Sequence, residues 1–194
     1  YKNTGSHNTV TIGEENQAPV DGILKRYEER DGVVYVEAAA DWTLPYEMPD
    51  SFTIVQWQEE NYRTVRMERK IAWTDEYFVE LFLVDGVRPE LAIDWVMHCS
   101  GEMISGPEGI RRDALSEQKP YKHLHGMSAA RPEPDQGSVV TVYEDGGITT
   151  HIFGAAGGQT VFTGKGPDNP SISEINYRIE RCYGGEAVFA HVIT

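Results

Sequence analysis

The chain has 194 residues, with 17 Lys and Arg against 31 Asp and Glu, a formal charge of −14. With 40% apolar and 25% charged residues it has enough hydrophobic material for a core, which excludes a disordered chain. The acidic balance argues against nucleic acid as a partner, because phosphate binding gathers Lys and Arg on one face; no window approaches the roughly 18 apolar residues of a membrane span.

The opening residues Tyr1-Lys2-Asn3-Thr4-Gly5 have neither the charged start nor the apolar run of a signal peptide. The chain begins just before a strand and stops at Val192-Ile193-Thr194 while still alternating, so it is expected to be a soluble segment of a longer protein. Cys99 and Cys182 are too few and too far apart for a disulfide scaffold or a Cys-rich zinc module. They are expected as buried thiols, with a single bridge as the alternative.

Apolar and polar residues alternate over short stretches with no sustained helical spacing, so the chain reads all-β. Strands are expected over 9–12, 22–30, 33–39, 52–57, 63–73, 78–84, 91–99, 139–143, 149–153, 160–163, 175–182 and 187–193. Asp31-Gly32, Asp145-Gly146-Gly147 and Gly184-Gly185 lie between such runs, where Gly supplies the positive φ of tight hairpins, and three hairpins are expected there. About a dozen strands with short turns predict a single large antiparallel β-sandwich over 1–194.

One stretch breaks the pattern. Residues 105–136 carry Pro107, Pro120, Pro132 and Pro134, several Gly and no alternation, which predicts a long loop. It also holds Arg111, Arg112, Lys119, Lys122, His123, His125 and Arg131, a large share of the positive charge. A binding loop or lid and a solvated flap are both open readings. The His123-Leu124-His125 spacing carries no metal site in such surroundings, and His98 and His151, inside strand runs, read as core or surface histidines.

The most informative string is Gly5-Ser6-His7-Asn8-Thr9-Val10-Thr11-Ile12-Gly13-Glu14-Glu15-Asn16-Gln17. It offers an imidazole that can carry a proton or bind a metal, beside an amide that can hold a carboxylate. This string resembles the His-Asn-Thr-Val signature, followed by an acidic-plus-Gln turn, that opens the β-sandwich of heparinase II/III-like polysaccharide lyases, a family that includes oligoalginate lyases. Three further stretches are similar in the same order: the Arg-led strand from Arg63-Thr64-Val65-Arg66 to Ile71, then Tyr77-Phe78-Val79 with Val84-Asp85-Gly86, and the closing part from His151 through Thr163-Gly164-Lys165-Gly166-Pro167 to Tyr177-Arg178-Ile179-Glu180-Arg181 and Ala187-Val188-Phe189. The 105–136 excursion has no counterpart.

The resemblance implies β-elimination of a uronate-containing polysaccharide, alginate-like or glycosaminoglycan-like, by a periplasmic or secreted protein. It implies an N-terminal α-helical toroid as this sandwich's partner, with the cleft between the two and the main acid and base on the toroid, so that these residues alone are inactive. The position matching the family's sandwich histidine is His7, and the best match to its loop tyrosine is Tyr46; these are the expected catalytic residues. A phenol at a desolvated cationic rim can be pulled down toward working pH, although Tyr46 also reads as an aromatic lid. Asn8, Trp42, Arg63 and Tyr121 are the expected substrate-binding residues. Some members hold zinc through this His, an Asp and a second His, but Asn61-Tyr62 stand where the second His would be, so no cofactor is expected. A carbohydrate-binding module gripping glycans with Trp42, Trp57 and Tyr121, and a structural or homo-oligomerising domain, are the alternatives.

Overall fold

The computed structural model describes residues 3–46, 57–112, 114–118, 121–133, 135–168 and 172–194. The expected strand at 52–57 therefore lies almost wholly outside the described residues, as do Lys119, Pro120 and Pro134. Fourteen strands follow in order: β1 (Val10–Ile12), β2 (Gly22–Arg30), β3 (Val33–Asp41), β4 (Arg66–Trp73), β5 (Phe78–Asp85), β6 (Ile93–Cys99), β7 (Glu102–Ser105), β8 (Ile110–Arg112), β9 (His125–Ala130), β10 (Ser138–Asp145), β11 (Ile148–Ala155), β12 (Thr160–Pro167), β13 (Glu174–Cys182) and β14 (Ala187–Ile193). They form two antiparallel sheets packed as a sandwich, one ordered β1-β6-β13-β12-β9-β8 and the other β2-β3-β4-β5-β14-β11-β10-β7.

Alternation sets which side chains meet between the sheets. On β5, Glu80, Phe82 and Val84 are buried, and they face Val10, Ile12 and Trp95 of the other sheet in one core. A one-turn helix, α1 (Glu59–Tyr62), occupies the approach to β4, so that strand starts at Arg66 and not at 63. Tyr62 is buried there, and its hydroxyl accepts the Ile12 N–H at 3.1 Å. Every residue of β2 is exposed and β3 is mostly half-buried, so the inner face of the eight-stranded sheet runs on past the cover of its partner.

Two expected hairpins are present. The two-residue turns Asp31-Gly32 and Gly146-Gly147, all at positive φ, join β2 to β3 and β10 to β11. The third is corrected: Gly184-Gly185 leads from β13 in one sheet to β14 in the other, and so crosses the sandwich. Turn chemistry shows that the chain reverses and leaves open which sheet it enters. The cysteines are free thiols, opposite Asn176 and Ile93 at the two ends of the β6–β13 pair, roughly 20 Å apart along the strands and far beyond bridging distance. Burial pushes both thiols up to about 11.

The long loop at 105–136 is also corrected. It contributes β8 and β9 to the six-stranded sheet, and its remaining turns lay Leu115, Tyr121 and Leu124 over the outer face of that sheet. There they form a second core with Val96, Met127, Phe162, Tyr177 and Ile179.

The inside of the sandwich is charged at its centre. Arg178 and Glu180 of β13, Glu80 of β5 and His191 of β14 are all within 2% of full burial. Arg178 binds Glu180 at 2.6 Å and also donates to Thr141. Arg69 holds Glu80 at 2.5 Å, and Trp95 Nε1 donates to the same carboxylate at 2.8 Å. The His191 ring stacks on Trp95 at 3.7 Å, with nitrogens 3.5 Å from Glu80 and 3.1 Å from Glu180, off the line of a good hydrogen bond. Burial favours the neutral imidazole, but Glu180 and Glu80 outweigh it and hold His191 above its ordinary value. Burial likewise pushes both carboxyls up, and His191 with the arginines overcomes it. Gly154 of β11 makes room for the cluster, since a Cβ there would stand 2.4 Å from Glu180 Oε1 and 2.6 Å from Arg178 Nη2.

Gly154→Ala is expected to cost about 2–3 kcal/mol by overpacking this pair, read as a lower urea midpoint. Because His191 has a raised proton affinity in the folded state, its charge stabilises the fold fully below about pH 6.5, and that contribution is lost as pH rises through the raised value. His191→Gln should therefore lower the melting temperature more at pH 6 than at pH 9; an equal drop at both pH values would place the proton elsewhere.

Candidate functional site

The overhang of the eight-stranded sheet leaves a groove along the inner face of β4. Three sections follow one another. The first, of about 810 Å³, includes Asn8, Arg69, Ile71, Trp73, Tyr77 and His98 in its wall. The second, about 290 Å³, shares Arg69 with it and runs past Met67, Ala38 and Ala40 to Trp42. The third, about 220 Å³, shares Val20 and Trp42 with the second and reaches Tyr46, Trp57 and Arg63. The inward residues of β4 thus line the groove in order, Trp73 and Ile71 first, Arg69 at the junction, Met67 beyond, over a strand length of roughly 20 Å.

Aromatic rings stand at both ends, Trp73 and Tyr77 at one and Trp42, Tyr46 and Trp57 at the other. Trp42 is fixed by its Nε1 donating to Ala18 O at 2.9 Å and by a tilted contact with Tyr62 at 5.0 Å. Charge is uneven along the groove. Asp75, Glu76 and Asp145 line the first section, where Arg69 is the one Lys or Arg among the described wall residues; Arg63, paired with Glu60 at 2.5 Å, stands in the third.

The expected site residues separate into groups. Trp42, Tyr46 and Arg63 come together in the third section. Asn8 lies in the first, exposed, and His7 beside it is exposed but is not among the residues that line the groove. The wall that holds Tyr46 holds neither His7 nor Asn8, so the two expected catalytic residues do not converge on one point. Tyr121 is corrected: it is fully buried beneath the excursion, where no glycan reaches it. Its hydroxyl donates to Asp94 at 2.8 Å and meets the Thr11 hydroxyl. Asp94 is in turn gripped by Arg181 through two bonds of 2.7 Å, and Arg181 also binds Glu14 at 2.6 Å, so this tyrosine pins the excursion to the sheet.

His98, expected as a core or surface histidine, is among the residues that line the first section. Its backbone N–H donates to Asn8 Oδ1 at 2.9 Å, its Nδ1 lies 2.6 Å from the same oxygen, and Nε2 is 3.2 Å from Gly5 O. Burial pushes the ring down to about 4. The signal available was its place opposite Tyr177 on an inner strand of the six-stranded sheet, which alternation alone does not convey.

Among the described residues no group of three or more His, Cys, Asp or Glu is placed to hold a metal ion, and Asn61, where a second histidine ligand would stand, accepts a hydrogen bond from Arg88 at 2.7 Å. In comparisons with known proteins the chain matches no protein-family model and no curated sequence.

Tyr121→Phe removes one hydrogen bond to a buried carboxylate. It is expected to lower stability by about 1–2 kcal/mol while leaving any glycan affinity unchanged, measured by denaturant titration beside a binding isotherm; a loss of affinity at unchanged stability would return Tyr121 to the site.

Proposed function

We propose that this chain is the β-sandwich portion of a polysaccharide lyase that cleaves a uronate-containing chain by β-elimination, and that it supplies a substrate-binding wall. The observation that carries this reading is the row of three hollows along β4 that share wall residues, with aromatic rings at the two ends and Arg69 between the first and the second. A long cleft with apolar walls and a few placed polar groups suits a linear ligand of several sugar rings, whose C–H faces lie on aromatic side chains. The order of the His7-Asn8-Thr9-Val10 string and the later Arg-led strands supports the lyase class over other glycan binders.

In the elimination the C5 proton passes to a base, the C5 electrons form the C4=C5 double bond, and the C4–O bond breaks as the leaving oxygen takes a proton. Negative charge spreads into the uronate carboxylate on the way, and cationic or N–H groups near that carboxylate stabilise it. Asn8, Arg69 and Arg63 are this chain's candidates for that work, and the α-helical toroid is the proposed source of the principal base and acid. The scarcity of Lys and Arg along the groove favours an unsulfated polymer such as alginate, since each sulfate keeps its charge at any working pH. A second reading, a glycan-binding module without chemistry, draws on the separation of His7 from Tyr46.

The test is depolymerisation of alginate, hyaluronan and heparan sulfate by the full-length protein, followed by the ultraviolet absorbance of the unsaturated product. Alginate is the expected substrate; binding without product would favour the module, and neither binding nor product would overturn both readings. Trp42→Ala and Trp73→Ala should each weaken oligouronate binding about tenfold. Tyr46, placed beside Arg63, is expected to act in binding, so Tyr46→Phe should raise KM more than it lowers kcat; a fall of about 10²- to 10³-fold in kcat would instead give the phenol a proton role.

A further inference from the structure

We propose that Asn8, held in one orientation by His98 and flanked by Arg69, forms a carboxylate seat in the first section of the groove, with His98 as its positioning residue. This rests on the groove being a glycan site and adds which chemical group that point recognises.

The orientation of Asn8 follows from hydrogen-bond accounting. Its Oδ1 takes the backbone N–H of His98 at 2.9 Å and faces the ring Nδ1 at 2.6 Å. Turning the amide over would set an NH₂ group against a backbone N–H, two donors with no acceptor, so the oxygen is fixed on the His98 side. Both ring nitrogens face carbonyl oxygens, Nδ1 the Asn8 amide at 2.6 Å and Nε2 Gly5 O at 3.2 Å, so a neutral ring donates to one of them, and the shorter contact is the one to Asn8. The ring plane is held in turn by the edge-on contact with Tyr177 at 4.4 Å and 88°. What Asn8 has left to offer is its NH₂, two N–H donors with no acceptor among the described residues, on an exposed residue that lines the groove.

Arg69 adds charge at the same place. Its Nη1 donates to the Asn8 carbonyl at 3.0 Å, so the guanidinium is tied to the backbone that carries the amide. Its other face grips Glu80, but Glu80 also faces His191 and accepts from Trp95, and one third of the Arg69 side chain remains open to solvent. In the buried cluster behind it, Arg178 and His191 also face the carboxylates Glu80 and Glu180, so Arg69 shares the neutralisation of Glu80 with His191. A ligand carboxylate set between an amide NH₂ and this guanidinium gains charge-assisted hydrogen bonds from both. The acidic residues Asp75, Glu76 and Asp145 of the same section would repel a second carboxylate and can accept hydrogen bonds from sugar hydroxyls.

The test uses a mannuronate tetramer and the same tetramer with its carboxyl groups reduced to alcohols, titrated calorimetrically into the protein. The unaltered protein is expected to bind the uronate form at least tenfold more tightly. Asn8→Asp keeps an oxygen for both His98 donors while replacing the NH₂ by negative charge, and should reduce uronate affinity tenfold or more with the reduced tetramer unaffected. His98→Phe keeps the ring contact with Tyr177 and the backbone N–H to Asn8 Oδ1 but removes the ring's hydrogen bond to the amide, and should weaken the preference for the uronate form several-fold. His98→Asn returns an N–H near the Nδ1 position and should restore it, a rescue that a purely structural role for His98 would not give. Equal binding of the two tetramers, or Asn8→Asp binding uronate normally, would overturn the carboxylate seat and leave the groove a glycan site. Failure of both tetramers to bind would overturn the groove reading and the seat with it.

Discussion

Two carboxylates in the dry middle of a β-sandwich must be neutralised, and the way this chain does so organises much else. Glu80 and Glu180 come from different sheets, and Arg178, His191 and Arg69 hold them together across the interior. Isolated charges in such a place would cost far more than the hydrophobic surface around them returns, so each must have its partner in the folded state. The cluster also constrains register: β13 cannot slide against β14 across the sandwich without separating His191 from Glu180, nor can β4 shift against β5 within their sheet without releasing Arg69. Its last member reaches the groove, so the same ion pairs that fix the fold also fix where positive charge meets solvent.

The groove itself arises from unequal sheets. Eight strands lie over six, and the uncovered inner face at β2, β3 and β4 is apolar, with Leu24, Tyr27, Val36 and Ile71 on the paired side of Ala38 and Arg69, while the outer face carries the ion pairs of Lys25, Glu68 and Lys70. Such a surface takes a ligand by its flat faces and reads it through a few polar points. Asn8 supplies a point in the first section, Arg69 one at its junction with the second, and Arg63 one at the far end beside Trp42.

Alternating strands were the legible part of the sequence. Residues 78–84 and 187–193 read as strands and are strands, because about half of each faces the core and the rest does not. β8 and β9 were hidden because Gly126, Ser128, Ala129 and Ala130 are small, leaving Met127 alone to mark a buried face. The Gly184-Gly185 turn looked like a hairpin because glycine registers the bend and carries no information about the sheet beyond it. Among site residues, Asn8, Trp42 and Arg63 could be named from chemistry and motif, whereas Tyr121 was misplaced because an aromatic in a Pro-rich stretch looks exposed until its hydroxyl finds Asp94. His98 depended on a partner ninety residues away, a pairing that only the folded chain creates.

The position of β14 carries a consequence for how the molecule is made. It is inserted between β5 and β11, in the middle of the wider sheet, and brings His191 with it. A ribosome delivers residues 66–85 and 138–155 long before 187–193, so the two halves of that sheet emerge with open edges facing one another and two buried acids still short of their histidine. Pairing that waits on so distant a segment is slow, and unpaired strand edges invite association with other chains. Closure of the wider sheet therefore waits on residues 187–193, and until they are made the edges of β5 and β11 stay open to other chains.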